Sequence, residues 1–490
     1  MSSSPVRTDV VVVGAGMSGL CQAVELRRAG LDFVVLEKAD DLGGTWRDNT
    51  YPGASCDVES HLYAYSFARN PGWSSTFARQ PEILAYLHRV AARRGVLPHF
   101  RFGTDVRGAR WDEAAGTWTV TTAQGATYVS RFLVLGVGGL HTPRTPTPPG
   151  SETFRGPVWH SSRWNHDADL AGKHVAVVGV GASGVQIIPE LARRAAGVTV
   201  FQRTPAWVLP KPDVSHPAWR KRLFRLLPWA QDLYRLRIHV RREMRGIGFH
   251  HRPDALRVAE DLIRGLIDRH IDDPGLRETL TPHYRLGCKR VLLSDDYYPA
   301  LNSPHVRVVS GGPAALRPGG VVDEAGTEHR ADALVYATGF DLAGSFDRIR
   351  VEGTGGRLLH DTWSTGMYAY NGVAVSGFPN MFLLLGPNGF VPYTGVVTSI
   401  EAQARYVVRA VRALRSSRAR ALVVRPEAER RFLEGVRRQY GRTVWAVGGC
   451  RSWYQSESAA GTVLWPDSTT RYRRQLRTVR RKDFAFLGTR

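Results

Sequence analysis

The strings GAGMSG (14–19) and GVGASG (179–184) each break an apolar run and lead into helix-forming residues. A strand over 9–13, the first turn, a helix to about 28 closed by Gly30, and a strand over 33–36 make one βαβ unit. A strand over 174–178, the second turn, a helix and a strand over 198–201 make another. In such a unit the first glycine (Gly14, Gly179) permits the tight turn. The second (Gly16, Gly181) lets the backbone approach a diphosphate, and the third (Gly19, Gly184) lets helix and strand pack closely. The helix N-terminus then presents free N–H groups and the positive end of its dipole. Two such units, a domain apart, describe a chain with two nucleotide-binding halves. The expected fold class is α/β, with two Rossmann-like dinucleotide-binding domains and a helical insertion in the second.

The two units differ where the second strand ends. The first ends in Glu37, whose carboxylate accepts hydrogen bonds from ribose hydroxyls and repels a 2′-phosphate, which suits FAD or NAD. The second ends in Gln202-Arg203-Thr204, a cation and a hydroxyl that fit a 2′-phosphate, so the second dinucleotide is NADPH. Ser183, inside the second turn, joins that site, and Pro189 is expected to kink the helix after it. Between the units lies FRGPVWHSSRW (154–164), and after the first comes GGTWRDNTYPGASCDVES (43–60), a tight loop able to lie along a flat ring.

Composition removes other classes. No apolar run reaches the roughly 18 residues of a spanning helix, and 10–13 runs into the glycine turn instead of a cleavage site. The net charge of +22 is carried almost wholly by arginine spread along the chain. Two denser stretches, 220–245 and 471–482, suit amphipathic helices with a solvated face. Nucleic-acid binding is not expected, and membrane-surface contact is at most weak. Cys21, Cys56, Cys288 and Cys450 form no C-x-x-C, which leaves a reduced, cytoplasmic protein without a zinc knuckle. No histidine spacing suggests a metal.

With these residues in hand the chain resembles the Baeyer–Villiger monooxygenases, flavoproteins that bind FAD and NADPH. Phe154-x-Gly156-x-x-x-His160-x-x-x-Trp164 resembles that family's fingerprint, although Asn165 stands where the family has Pro or Asp. GGTW and YPGASCD resemble its flavin loop, which assigns Gly44, Thr45, Trp46, Asp57 and Tyr63 to FAD beside Gly14, Gly16, Gly19 and Glu37. LGCKRVLLSDDYYPALN (286–302) matches its Lys-Arg segment. Ala337-Thr338-Gly339 matches the returning strand, and Gly136-Val137-Gly138 departs from the first such triplet. FPNMFLLLGPN (378–388) resembles the closing flavin loop. GCRSWY (449–454) resembles the loop that folds over NADPH, with Trp453 as its tryptophan.

The resemblance implies an FAD domain formed by 1–145 and 340–490. A linker over 141–165 and an NADPH domain over 166–339 lie between, with a helical subdomain over about 211–280 bordering the substrate entrance. It implies that NADPH reduces FAD, that O2 adds to give a C4a-peroxyflavin, and that a small-molecule ketone becomes an ester or lactone. Arg290 is the implied fixed cation for the peroxide and the adduct oxygen, oriented by Asp57; both are catalytic candidates. Lys289, with Arg203 and Thr204, is the implied reader of the 2′-phosphate. His160 is expected to act as a hinge. Oxygenation of sulfur or nitrogen, or plain NADPH–flavin reduction, are the rival outcomes.

Overall fold

In the computed structural model, residues 4–342, 344–458 and 460–489 are described. Among them the strand β1 (Val6–Val13) has its last four residues, the valines 10–13, almost wholly buried. It lies between β2 (Phe33–Leu36) and the strand Thr127–Leu135, pairing in parallel with both. Continuous burial on both faces is what a run of four valines without alternation specifies. The helix Met17–Arg28 crosses from β1 to β2 and is backed by the long helix Val396–Arg415. The strands Val106–Asp112 and Thr117–Thr122 extend this eight-stranded sheet in antiparallel fashion. Three further strands complete it: Phe100–Arg101 pairs in parallel with β2, Met381–Leu383 with Thr127–Leu135, and Arg350–Glu352 with Val106–Asp112.

A second, five-stranded sheet is parallel throughout. Its order is Val306–Ser310, Gly197–Gln202, His174–Val178, Ala333–Tyr336 and Val158–His160. The last of these comes from the 141–165 segment expected as a linker, so that segment also closes one edge of the second sheet. The helix Ala182–Ala192 runs on through Pro189, which removes one backbone donor without ending the helix.

The expected helical insertion consists of the helices Ala218–Leu226, Pro228–His250, Arg257–His270 and Pro274–Leu280. The solvated arginine face expected over 220–245 is present, with Arg222, Arg225, Arg237, Arg241 and Arg245 exposed, but an apolar stripe is exposed beside it. On Pro228–His250 the buried residues are mostly polar or glycine, and the exposed ones are largely apolar.

The cysteine reading is also corrected. Cys288 and Cys450 form a disulfide, while Cys21 and Cys56 are free and buried. The pair is 162 residues apart in sequence, and only the packing of the 449–454 loop onto the Lys-Arg segment brings it together.

Candidate active site between two nucleotide turns

The two turns are built alike. Gly14 and Gly179 hold φ of +99° and +106°, a region that side chains rarely adopt. A Cβ on Gly19 would lie 1.8 Å from the Gly14 carbonyl oxygen, and one on Gly184 would lie 2.1 Å from that of Gly179. Glycine is required at all four places. The helices that follow start at Gly16 and Gly181 with no side-chain cap, so their first N–H groups are left for a ligand.

Glu37 is buried at the end of β2. Its carboxylate accepts from the Ala15 N–H at 2.7 Å and the Ala39 N–H at 3.0 Å, and Arg47 lies 3.4 Å from Oε1. It therefore braces the first turn as well as facing the ligand space. A cavity of ≈ 390 Å³ opens there, lined by Gly14, Gly16, Glu37, Gly44, Thr45, Trp46, Asp57, Tyr63, Ser183, Arg290 and Trp453. Gly44 faces Gly16 across it: a Cβ on Gly44 would come within 3.0 Å of the Gly16 Cα. The uncapped helix start, the glycine-walled channel and the carboxylate suit a dinucleotide without a 2′-phosphate, so FAD fits.

Trp46 donates from its indole to the Tyr63 hydroxyl at 3.0 Å, and the rings meet edge to face. Trp453 stacks on Phe390 with centroids 5.9 Å apart at the opposite wall. Leu385, a non-glycine residue at φ +53°, also lines this cavity, and the Gln403 side chain accepts from its N–H. Such backbone strain persists only where surrounding contacts hold it.

At the centre, Arg290 donates to Asp57 through Nε (2.9 Å) and Nη2 (2.7 Å) in a bidentate pair. Burial alone would raise the Asp57 carboxyl, but the adjacent guanidinium outweighs it and holds the group below its ordinary value. The Asp57 carboxylate in turn pushes the Arg290 value up, against burial. Arg242 donates to the Asp57 carbonyl oxygen at 2.9 Å, fixing the backbone beneath the pair. Arg290 Nη1 has no hydrogen-bond partner among the described residues, and the side chain remains 35% exposed where it lines the cavity. The fork is thus half engaged and half free. The neighbouring Cys56 thiol is pushed up to about 12 by burial and stays protonated.

The second nucleotide region carries a different charge pattern. Gln202 is buried, whereas Arg203 is exposed and Thr204 half-buried at the strand end. The Lys289 ammonium sits 5.2 Å over the Tyr284 ring, and burial followed by repulsion from Arg203 lowers its value. Neither cation forms a salt bridge among the described residues. Two unmatched cations beside an uncapped helix fit a 2′-phosphorylated dinucleotide, so NADPH suits this half.

The fingerprint residues lie outside the cavity. Phe154 packs in the core of the second sheet, and a Cβ on Gly156 would lie 2.3 Å from the Asp332 carbonyl oxygen. Trp164 meets Trp159 edge to face. His160 lies 3.0 Å from the Gly339 carbonyl oxygen through Nε2 and 2.9 Å from Ser162 Oγ through Nδ1, tying the fingerprint to the returning strand.

Other residues were not foreseen. Tyr51 donates to the Gln186 side chain at 3.0 Å, Gln186 donates to the Ser55 carbonyl oxygen at 3.0 Å, and Lys211 donates to Ser55 Oγ at 2.6 Å. These bonds join the flavin-side loop to the second half, and no local motif announces them. His250, His251 and Asp467 bring ligand atoms within 4.8 Å of one another, but both Asp467 oxygens are engaged, by the Ser468 N–H and by Arg471.

Known proteins resemble this chain in sequence and fold. Residues 7–219 match the flavin-binding monooxygenase-like family. A Baeyer–Villiger monooxygenase of Streptomyces coelicolor is 44% identical over 96% of this chain and 91% of its own. One from Pseudomonas aeruginosa is 41% identical over 95% and 88%. Among solved structures, an oxidized steroid monooxygenase bound to NADP superposes with a TM-score of 0.89 at 32% identity, covering 98% of this chain and all of its own. Cyclohexanone monooxygenase from Rhodococcus sp. Phi1 bound to NADP+ gives 0.89 at 31% identity, covering 99% and 100%. With matches of this depth over nearly the full length, the chain belongs to the Baeyer–Villiger monooxygenases.

Proposed function

We propose that the enzyme inserts one oxygen atom of O2 beside the carbonyl of a small-molecule ketone, with FAD held at the first turn and NADPH at the second. The bound cofactors supply reduction by the nicotinamide and activation of O2 at the flavin. The chain supplies recognition, orientation and charge. Glu37 accepts from the FAD ribose, and Gly14, Gly16 and Gly19 let the diphosphate reach the uncapped helix. Arg203, Thr204 and Lys289 hold the NADPH 2′-phosphate, and Trp453 closes over that cofactor.

Arg290 is the catalytic residue of this reading. A guanidinium stays charged when buried, and its free Nη1 can donate to oxygen that carries negative charge as the carbonyl carbon is attacked. Asp57 offsets the cost of burying that charge and sets the direction of the fork, which makes it a positioning residue. Trp46, Tyr63 and Phe390 line the same cavity and would help to exclude water from it once the cofactors are bound, so that a donor there is worth more than in bulk solvent. His160 holds the edge strand Val158–His160 to the Gly339 carbonyl oxygen, where the chain leaves the second sheet, and acts there as a hinge. On this division the FAD domain comprises 1–145 and 340–490, and the NADPH domain lies between.

The half-engaged Arg290 fork over the cavity is the observation that supports ketone rather than thioether chemistry. Flavin-loaded enzyme with NADPH, O2 and a panel of cyclic and open-chain ketones should give products one oxygen heavier with ester character. Turnover of thioethers alone would reject the reading.

A further inference from the structure

The helix Pro228–His250 is folded inside out. Its exposed large apolar residues are Trp229, Leu233, Leu236, Val240, Met244 and Ile247, with Trp229 62% and Met244 66% exposed. Spacings of 4, 3, 4, 4 and 3 residues place all six in one stripe along the helix. The opposite side, against the protein, buries Gln231, His239, Gly246, Gly248 and His250 beside a single aliphatic residue, Ile238. Arg235 donates inward to the His61 and Ala64 carbonyl oxygens, and Arg242 to Glu59. The preceding helix Ala218–Leu226 continues the theme, with Trp219, Leu223 and Leu226 exposed four and three residues apart. An outward stripe of this length exceeds the scattered exposed apolar residues of an ordinary surface.

The charge beside the stripe identifies its occupant. Arg237, Arg241 and Arg245 follow one another at four-residue spacing along its flank, and Arg222 and Arg225 lie on the preceding helix. Only Arg241 has a salt bridge, to Glu59; the other four form none among the described residues. A second copy docking by a two-fold axis would set these arginines against their own copies. An anionic lipid surface instead takes the apolar stripe at the headgroup boundary and pairs the arginines with phosphates, and the exposed tryptophans suit that depth. No helix of the described residues is long and apolar enough to cross a membrane, so contact is with the surface.

We infer that this helix pair docks the enzyme on an anionic phospholipid surface through the 229–247 stripe and its arginine flank. The test is co-sedimentation of the flavin-loaded enzyme with vesicles of phosphatidylcholine, pure or containing roughly one-third phosphatidylglycerol. Binding to the anionic vesicles only, reduced by high salt, is expected. Leu233→Glu with Met244→Glu should abolish it while the flavin spectrum, melting temperature and ketone turnover in solution stay unchanged; both side chains are exposed. Arg237→Gln with Arg245→Gln should weaken partitioning by roughly 25-fold, about fivefold per charge removed. Three results would each overturn the inference: no sedimentation with either vesicle, equal binding to neutral vesicles, or a dimer in solution that Leu233→Glu with Met244→Glu dissociates.

Discussion

The two glycine turns are near copies in backbone and near opposites in chemistry. Gly14 packs against the Gly136 carbonyl oxygen and Gly179 against that of Ala337, each with a virtual Cβ contact of 2.6 Å. The helix-capping glycines match to within a few degrees, at φ, ψ of −72°, −169° and −75°, −166°. The difference lies wholly at the strand ends, where a buried carboxylate braced by two N–H groups stands in one half and unmatched cations in the other. On the proposed assignment, the diphosphate site is a property of the backbone, and the ribose end carries the choice of nucleotide. The contact to a carbonyl oxygen also explains why Gly136 can replace the alanine found at Ala337: that contact needs no side chain.

The strongest way to separate the halves is to fill one turn at a time. Gly19→Ala drives a Cβ into the Gly14 carbonyl, which should cost about 3 kcal/mol and release the flavin. Gly184→Ala should leave the yellow flavoprotein intact and remove NADPH binding. Flavin absorbance after gel filtration and NADPH titration read the two losses; equal loss of both cofactors in both variants would deny the division.

Next is the bridge that ties the second half to the C-terminal loop. Cys450→Ser opens a link spanning 162 residues and should lower stability by about 2–4 kcal/mol. Because Cys288 precedes Lys289 and Cys450 precedes Trp453 by three residues, KM for NADPH should rise while FAD stays bound. Thermal unfolding and steady-state kinetics with and without a dithiol check this.

Lys289→Ala removes one of the two cations proposed to read the phosphate, worth about 1.5–3 kcal/mol for a charged hydrogen bond. KM for NADPH should rise at least about tenfold while KM for NADH stays level. An equal change in both would mean that Lys289 does not read the phosphate.

The smallest effect concerns the His160 contact where the chain leaves the second sheet. Burial lowers His160 to about 4, so the native state keeps it neutral after the unfolded chain has begun to take up a proton below about 6.5. The unfolded state binds more protons in that window, and stability falls as pH drops from about 6.5 towards 4. His160→Gln should flatten this part of a melting-temperature profile against pH. A slope unchanged by the substitution would assign the loss to other buried histidines, such as His61, His141 and His250, which burial lowers to about 3, about 4 and about 4.

What could be read from residues alone follows sequence distance. The turns and the charge contrast between Glu37 and Arg203 could be read from sequence because each lies within one βαβ unit. The Arg290–Asp57 pair, 233 residues apart, was legible only through likeness to a family. The Tyr51–Gln186 contact and the disulfide were not, since only tertiary packing creates them. The 228–250 helix, with its exposed arginines, was legible, but the outward turn of its apolar stripe was not. Its periodicity is truly amphipathic, but periodicity carries no sign, and buried backbone and guanidinium partners chose which face turned inward.

The most direct measurement is the ratio of oxygenated ketone product to NADPH oxidised by Arg290→Ala, with flavin occupancy checked by absorbance. Loss of one such donor costs about 10²–10³-fold in related charge-stabilising sites. Retained flavin with ester yield reduced by that order is the expected result. Ester formation at the unsubstituted enzyme's rate and coupling would contradict the role given to the free guanidinium nitrogen.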